Sequence, residues 1–254
     1  MHSAMDHDAF PMTGPELATY DPVAAEYYDR IAHPTCFNFN RLSRLYIDAR
    51  FPEPWDESAI VEVGAGDSVV AALLHARGYG LEGLAITDAS AAMAAHSDRW
   101  RAHGAKISIS PARDLGGAGG RFAMLVSSLG DPYNNSEFWC EAHRVLKPGG
   151  RLLFTAPSFE WSRRFRHETA PHSAEFLVGG HEVLTLPSFV VPLAAQVAMM
   201  EAAGFAVIHF ESLGQERLHP AEPLSPKLAV FGDDRSSFVW GFELEKPLGS
   251  GSAR

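Results

Sequence analysis

A β-branched apolar run that ends in an acid and Gly-x-Gly allows a chain few local structures, and residues Ile60 to Ser68 read Ile-Val-Glu-Val-Gly-Ala-Gly-Asp-Ser. Ala59 to Val63 suits a buried parallel strand, and Val69 to Arg77 has helical composition with Gly78 placed to end it. The order is strand, glycine-rich turn, helix. Glycines in such a turn admit positive φ and remove the Cβ atoms that would hold a ligand off the main chain. A second strand, Leu81 to Thr87, ends in Asp88, 22 positions after Gly66 and near the ~20-residue spacing at which an acid meets ribose hydroxyls. Two carboxylates thus flank the place of a nucleoside.

In the dinucleotide fingerprint a third glycine follows the second by three positions, so that the helix N-terminus can receive a pyrophosphate. Val69 stands there instead, and Asp67, placed to cap the helix, would repel a diphosphate. A ligand carrying adenosine without phosphates fits better, and S-adenosylmethionine is such a ligand.

These residues resemble a family. Glu62-Val63-Gly64-Ala65-Gly66 is similar to the first motif of class I S-adenosylmethionine-dependent methyltransferases, and Asp88-Ala89-Ser90-Ala91-Ala92-Met93 to their second-strand motif. Arg121 to Leu129 resembles their fourth strand, and Arg144-Val145-Leu146-Lys147-Pro148-Gly149-Gly150-Arg151-Leu152 their Arg-x-Leu-x-Pro-Gly-Gly turn before the fifth. The resemblance covers residues 20 to 157. It implies a Rossmann-like, doubly wound α/β sheet, mostly parallel with an antiparallel last strand. It also implies S-adenosylmethionine as cofactor and S-adenosylhomocysteine as product. Cofactor contacts are then expected from Tyr20, Tyr28, Glu62, Gly64, Ala65, Gly66, Asp88, Ala89, Ala112, Arg113 and Ser128. Two departures stand out: Pro111 and Ala123 occupy positions where the family often has an acid. Adenine recognition then falls to the backbone near Ala112.

The chain has 254 residues, 46% of them hydrophobic, enough for one large α/β domain. Its 31 acidic against 21 basic side chains oppose a phosphate backbone, so no nucleic-acid substrate is expected. Cys36 and Cys140 form no metal-binding spacing, and no metal is expected. No apolar run reaches ~18 residues and the N-terminus has no signal-peptide pattern, so a cytoplasmic protein with no membrane partner, monomeric or homodimeric, is the expectation.

Residues 1–50 read as an N-terminal helical cap, with 1–17 mobile, Asp21 capping a helix from Pro22, and Pro34 breaking the helical text in two. Residues 51–254 read as the cofactor domain. Within it, 158–192 reads as a substrate-cap insertion whose Gly179-Gly180 pair makes a hairpin, and 214–234 as a lid loop. Leu193 to Ala203 reads as a helix, Phe205 to Phe210 as a strand, and Ser237 to Glu243 as the last strand.

Methyl transfer asks chiefly for positioning, exclusion of water and, for some acceptors, removal of a proton. His33, at a helix break, is a candidate base, with a capping role as its plain alternative. Asp131-Pro132-Tyr133 loosely resembles the Asp-Pro-Pro-Tyr of amino-methyltransferases, making Asp131 a candidate catalytic group and Tyr133 a stacking one. The plain alternative has Asp131 capping a helix from Ser136 to Val145. His33, Phe37, Asp131, Tyr133, Trp161 and Phe176 are the expected substrate contacts. The aromatic content of the insertion favours a small aromatic or heteroaromatic acceptor, methylated at N or O. The alternatives are a cyclase-like enzyme that binds S-adenosylmethionine without transferring its methyl group, and a degenerate binding module of the same fold.

Overall fold

The computed structural model describes residues 20–56, 58–231 and 236–249. The mobility expected of residues 1–17, the tail from residue 250, and residues 232–234 of the expected lid lie outside that range.

After a short 3-10 turn at Asp21–Val23, α1 runs over Pro34–Arg50 and β1 over Ile60–Val63. Then follow α2 (Val69–Ala76), β2 (Leu84–Asp88), α3 (Ala91–Ala95), β3 (Lys106–Ile109), β4 (Phe122–Ser127), α4 (Ser136–Val145) and β5 (Leu146–Pro157). A short α5 (Phe159–Ser162) leads to a two-stranded hairpin, β6 (Ser173–Val178) and β7 (Glu182–Pro187), turning at Gly179 and Gly180, whose φ values are 58° and 76°. The chain closes with α6 (Leu193–Ala202), β8 (Ala206–Leu213), α7 (Pro226–Ala229) and β9 (Val239–Glu245).

Seven strands form one sheet in the order β3-β2-β1-β4-β5-β9-β8. β1 runs parallel to both β2 and β4, and β9 antiparallel to its two neighbours β5 and β8. The expected Rossmann-like architecture is therefore present, with the antiparallel last strand lodged between two others. Alternation along the strands builds two cores. Ile60, Ile86, Val126 and Leu153 face α1 and α2. Val61, Leu125, Leu152 and Phe154 face α4, with Met200 of α6 on the same side. This explains why β1 reads as an apolar run interrupted only by Glu62: the sheet is covered on both faces.

Strand order reverses between β1 and β4, and in open α/β sheets the crevice beyond the carboxyl ends of the strands at such a point is where ligands bind. The glycine turn leaves β1 there and Ser128 leaves β4.

Three local expectations change. Ser68, not Asp67, caps α2, its Oγ accepting from Ala71 N at 2.9 Å. Asp67 is instead paired with Arg44 and Arg99. Asp21 caps no helix of its own: its carboxylate accepts from Ser90 Oγ and from Ala92 N, in the first turn of α3. Asn135, not Asp131, caps α4, taking Phe138 N at 3.1 Å. The described part of 214–234 is fastened to α1, where Arg41 pairs with Glu222 at 2.9 Å and Asn38 Oδ1 accepts Ser225 N at 2.9 Å.

Candidate active site

A cavity of about 1170 Å³, counting the space at its open mouth, lies over the carboxyl ends of β1, β2 and β4. The glycine turn forms its floor. Gly64 and Gly66 have φ of 61° and 48°, the left-handed region that favours glycine. A Cβ on Gly64 would overlap the Tyr133 hydroxyl, and one on Gly66 the Tyr28 hydroxyl and, at 2.9 Å, Met93 Cε. Both tyrosines hold the turn by hydrogen bonds: Tyr133 donates to Val63 O at 2.7 Å, and the Tyr28 hydroxyl accepts Asp67 N at 2.8 Å.

Asp88 stands on the wall beside this floor. Its carboxylate accepts Gly66 N and Ser90 N, each at 2.9 Å, so it ties the turn to the head of α3 while facing the cavity. Burial pushes its pKa up against these hydrogen bonds. Glu62, four residues before Gly66 and fully buried, lies beneath the floor. It accepts Ser68 Oγ and, at 2.8 Å, Val69 N, bracing the first turn of α2, and burial raises its pKa to about 7. Its carboxylate is thus spent on buried helix-start donors that have no partner within the helix, and it does not border the cavity.

The remaining walls divide by chemistry. Val69, Met93, Ala112 and Phe138 offer flat apolar surface, with Ala89 and Arg113 at its rim. Arg113 is the one cation lining the cavity among the described residues, and Glu137 lies 3.8 Å from it. That leaves a poor seat for a diphosphate. Tyr20, Tyr27 and Tyr28 close the opposite side, with Tyr27 and Tyr28 edge to face at 5.0 Å. Burial, then the Asp131 charge, raises the Tyr20 pKa, so this phenol stays protonated. Ser128, Leu129, Pro132, Tyr133, Pro187 and Phe189 close the end beyond β4.

Of the residues expected to make cofactor contact, Tyr20, Tyr28, Gly64, Ala65, Asp88, Ala89, Ala112, Arg113 and Ser128 border the cavity; Gly66 lies in the turn and Glu62 below it. The expected substrate set is more scattered. Tyr133 borders the cavity, whereas His33, Phe37, Asp131, Trp161 and Phe176 do not. His33 stands before α1, 3.5 Å from Glu26, with its ring against Phe176 at 5.8 Å. Phe176 in turn stacks on Tyr27 and meets Tyr20 edge to face, a layer behind the cavity wall. Trp161 packs on Phe39 at 4.7 Å in the core. Asp131 receives Ser188 Oγ on its carboxylate and Phe189 N on its carbonyl at 2.7 Å, bolting the hairpin's return to the turn after β4, and burial raises its pKa to about 6. Asn40 of α1 and Asn135 also border the cavity, and neither is among the contacts expected from the sequence. No local signal marks Asn40; Asn135 is visible only as a helix cap.

Among the described residues no group of three His, Cys, Asp or Glu could hold a metal ion, and no helix is long and apolar enough to cross a membrane.

Residues 61–154, which contain the turn, Asp88 and β4, match the family model described as a methyltransferase domain. No curated protein matches the chain by sequence. Solved structures do match. An S-adenosylmethionine-dependent methyltransferase from Mesorhizobium loti is 15% identical over 80% of this chain and 97% of its own, with TM-score 0.60. Burkholderia thailandensis 1,6-didemethyltoxoflavin-N1-methyltransferase, solved with 1,6-didemethyltoxoflavin and S-adenosylhomocysteine, is 16% identical over 93% and 94%, with TM-score 0.53. The [4+2]-cyclase SpnF is 19% identical over 83% and 82%, with TM-score 0.55. At these identities the likeness is one of fold.

Proposed function

From a class I, Rossmann-like methyltransferase domain as premise, we propose that this chain binds S-adenosylmethionine and transfers its methyl group to N or O of a small, aromatic or heteroaromatic metabolite. One observation carries the reading: a glycine turn at the strand-order reversal, with the Asp88 carboxylate linked to the turn and facing a cavity that among the described residues is lined by a single cation, Arg113.

The residues present fit the cofactor. Asp88 has the position and the lone pairs to take ribose hydroxyls, and the wall of Val69, Met93, Ala112 and Phe138 suits a flat purine. Gly64 and Gly66 leave main-chain groups of the turn unobstructed by Cβ atoms. When bound, S-adenosylmethionine supplies a methyl group already activated on a sulfonium. The phenol faces of Tyr20, Tyr27 and Tyr28 attract such a cation. The rest is positioning: Ser128, Leu129 and Pro132 shape the end of the cavity where the acceptor is held, and Pro187 and Phe189 cover it from water. Asp131, one layer back, is the candidate to receive an acceptor proton. Its raised pKa makes it a usable base near neutrality if the Ser188 bond opens.

Titration calorimetry with S-adenosylmethionine, followed by mass spectrometry of a metabolite extract incubated with protein and methyl-labelled S-adenosylmethionine, tests the reading. Heat of binding and a labelled product formed one-to-one with S-adenosylhomocysteine are expected. Product without S-adenosylhomocysteine would favour the cyclase-like alternative, and absence of binding heat would refute both.

A further inference from the structure

Three hydroxyls run from the cavity wall into the interior. Ser128 Oγ, on the wall, lies 2.7 Å from Ser43 Oγ of α1, and Ser43 Oγ lies 2.7 Å from Thr155 Oγ1 of β5. Ser43 and Thr155 are completely buried. Thr155 Oγ1 also accepts Leu129 N at 2.8 Å. The distances leave the direction of the chain open, and the proton count closes it. An N–H can only donate, so Leu129 takes a lone pair of Thr155. The Thr155 proton then has one acceptor within hydrogen-bond distance among the described residues, Ser43 Oγ. The reverse direction would leave that proton buried without a partner, one of the costlier defects of an interior. With Thr155 donating to Ser43, Ser43 donates to Ser128, and the Ser128 proton is turned toward the cavity.

The backbone supports the same end. Leu129 has φ of 53°, a left-handed conformation that a leucine adopts only under constraint, and in it the Leu129 N–H meets Thr155. Strain is thus held at the element that anchors the hydroxyl chain.

We propose that Ser128 is a specificity-determining hydrogen-bond donor, aimed by the positioning residues Ser43 and Thr155. It selects small molecules that carry a hydrogen-bond acceptor, a ring nitrogen or a carbonyl oxygen, at the end of the cavity beyond β4. The proposal rests on the methyltransferase reading, which supplies the identity of the molecule filling the other end.

The test uses the full chain loaded with S-adenosylhomocysteine and two flat probes of one shape, quinoline with a ring nitrogen and naphthalene without one. Affinities are read by ligand-observed NMR. Wild type should prefer quinoline by about fivefold, the worth of one neutral hydrogen bond. Ser128→Ala should bind the two alike, and Ser128→Thr should restore the preference. Ser43→Ala and Thr155→Val each keep the Ser128 hydroxyl but free its orientation, and each should at least halve the preference, while melting curves confirm that they fold. Equal binding by wild type, or a preference that survives Ser128→Ala, overturns the proposal; so does a preference intact in both Ser43→Ala and Thr155→Val. Failure of S-adenosylhomocysteine to bind, read by calorimetry before either probe is added, would instead overturn the methyltransferase reading.

Discussion

Replacing Glu62 by Gln separates two roles that one acid in this motif can have, contact with a cofactor or support of the turn beneath it. Glu62 is fully buried, and its pKa rises from 4.5 to about 7, chiefly because burial penalises the charged form. A folded-state pKa above the unfolded one means that the folded protein holds the proton more tightly. Stability is then greatest below pH 4.5 and falls as pH rises toward 7. The shift of roughly 2.5 units corresponds to about 3 kcal/mol between those limits. Gln mimics the protonated acid: its carbonyl can accept Val69 N, and its amide can donate to Ser68 Oγ. Urea denaturation of both proteins at several pH values should give similar stabilities near pH 4.5. The variant should be the more stable at pH 8, by up to about 3 kcal/mol. Other groups titrate in both proteins, so only the difference between the curves is diagnostic. Affinity for S-adenosylmethionine should change little, because the carboxylate does not border the cavity. Parallel stability curves, or a large loss of affinity in a fully folded variant, would refute this account.

Gly66→Ala places a Cβ against Tyr28 and Met93 in a left-handed conformation, so a stability loss of about 1–2 kcal/mol from the backbone alone and weakened S-adenosylmethionine binding are expected from melting curves and calorimetry. Asp88→Ala removes the acceptor of both Gly66 N and Ser90 N together with the proposed ribose contact. Calorimetry should show affinity lower by tenfold or more, about 1.4 kcal/mol, and an unchanged affinity would argue against the cavity assignment. Asp131→Asn can keep an acceptor for Ser188. If the carboxylate takes a proton, turnover falls far more than cofactor affinity and loses a rise with pH centred near 6; if turnover is unchanged, Asp131 is only a bolt for the hairpin.

What was legible in the sequence was what local physics decides. The apolar run at β1, the glycine turn, the 22-residue step to Asp88 and the Gly179-Gly180 hairpin each depend on neighbours along the chain, and each stands in the fold. The illegible parts depend on partners distant in sequence. Asp21 reads as a cap for the helix beside it, yet its carboxylate reaches Ser90. Trp161 reads as a pocket aromatic, yet it packs on Phe39 of α1. Asp131 reads equally as a catalytic group or a cap, and its partner Ser188 lies 57 positions away. Composition cannot reveal such pairings, because a buried carboxylate looks the same in text whether it serves a ligand or a hydroxyl.

The placement of β9 between β5 and β8 bears on how the molecule is made. Among the described residues β8 pairs in the sheet with β9 alone, and β5 is paired on that side by β9 alone. During synthesis, residues 206–213 therefore leave the ribosome before the strand they pair with exists. Two strand edges stay open until Val239 to Glu245 emerge, and only then can Glu243, buried on β9, meet Arg50 and Arg151. The half of the sheet that carries the glycine turn needs none of this. The cradle can form early, and the sheet is completed on its far side only when β9 is inserted between β5 and β8.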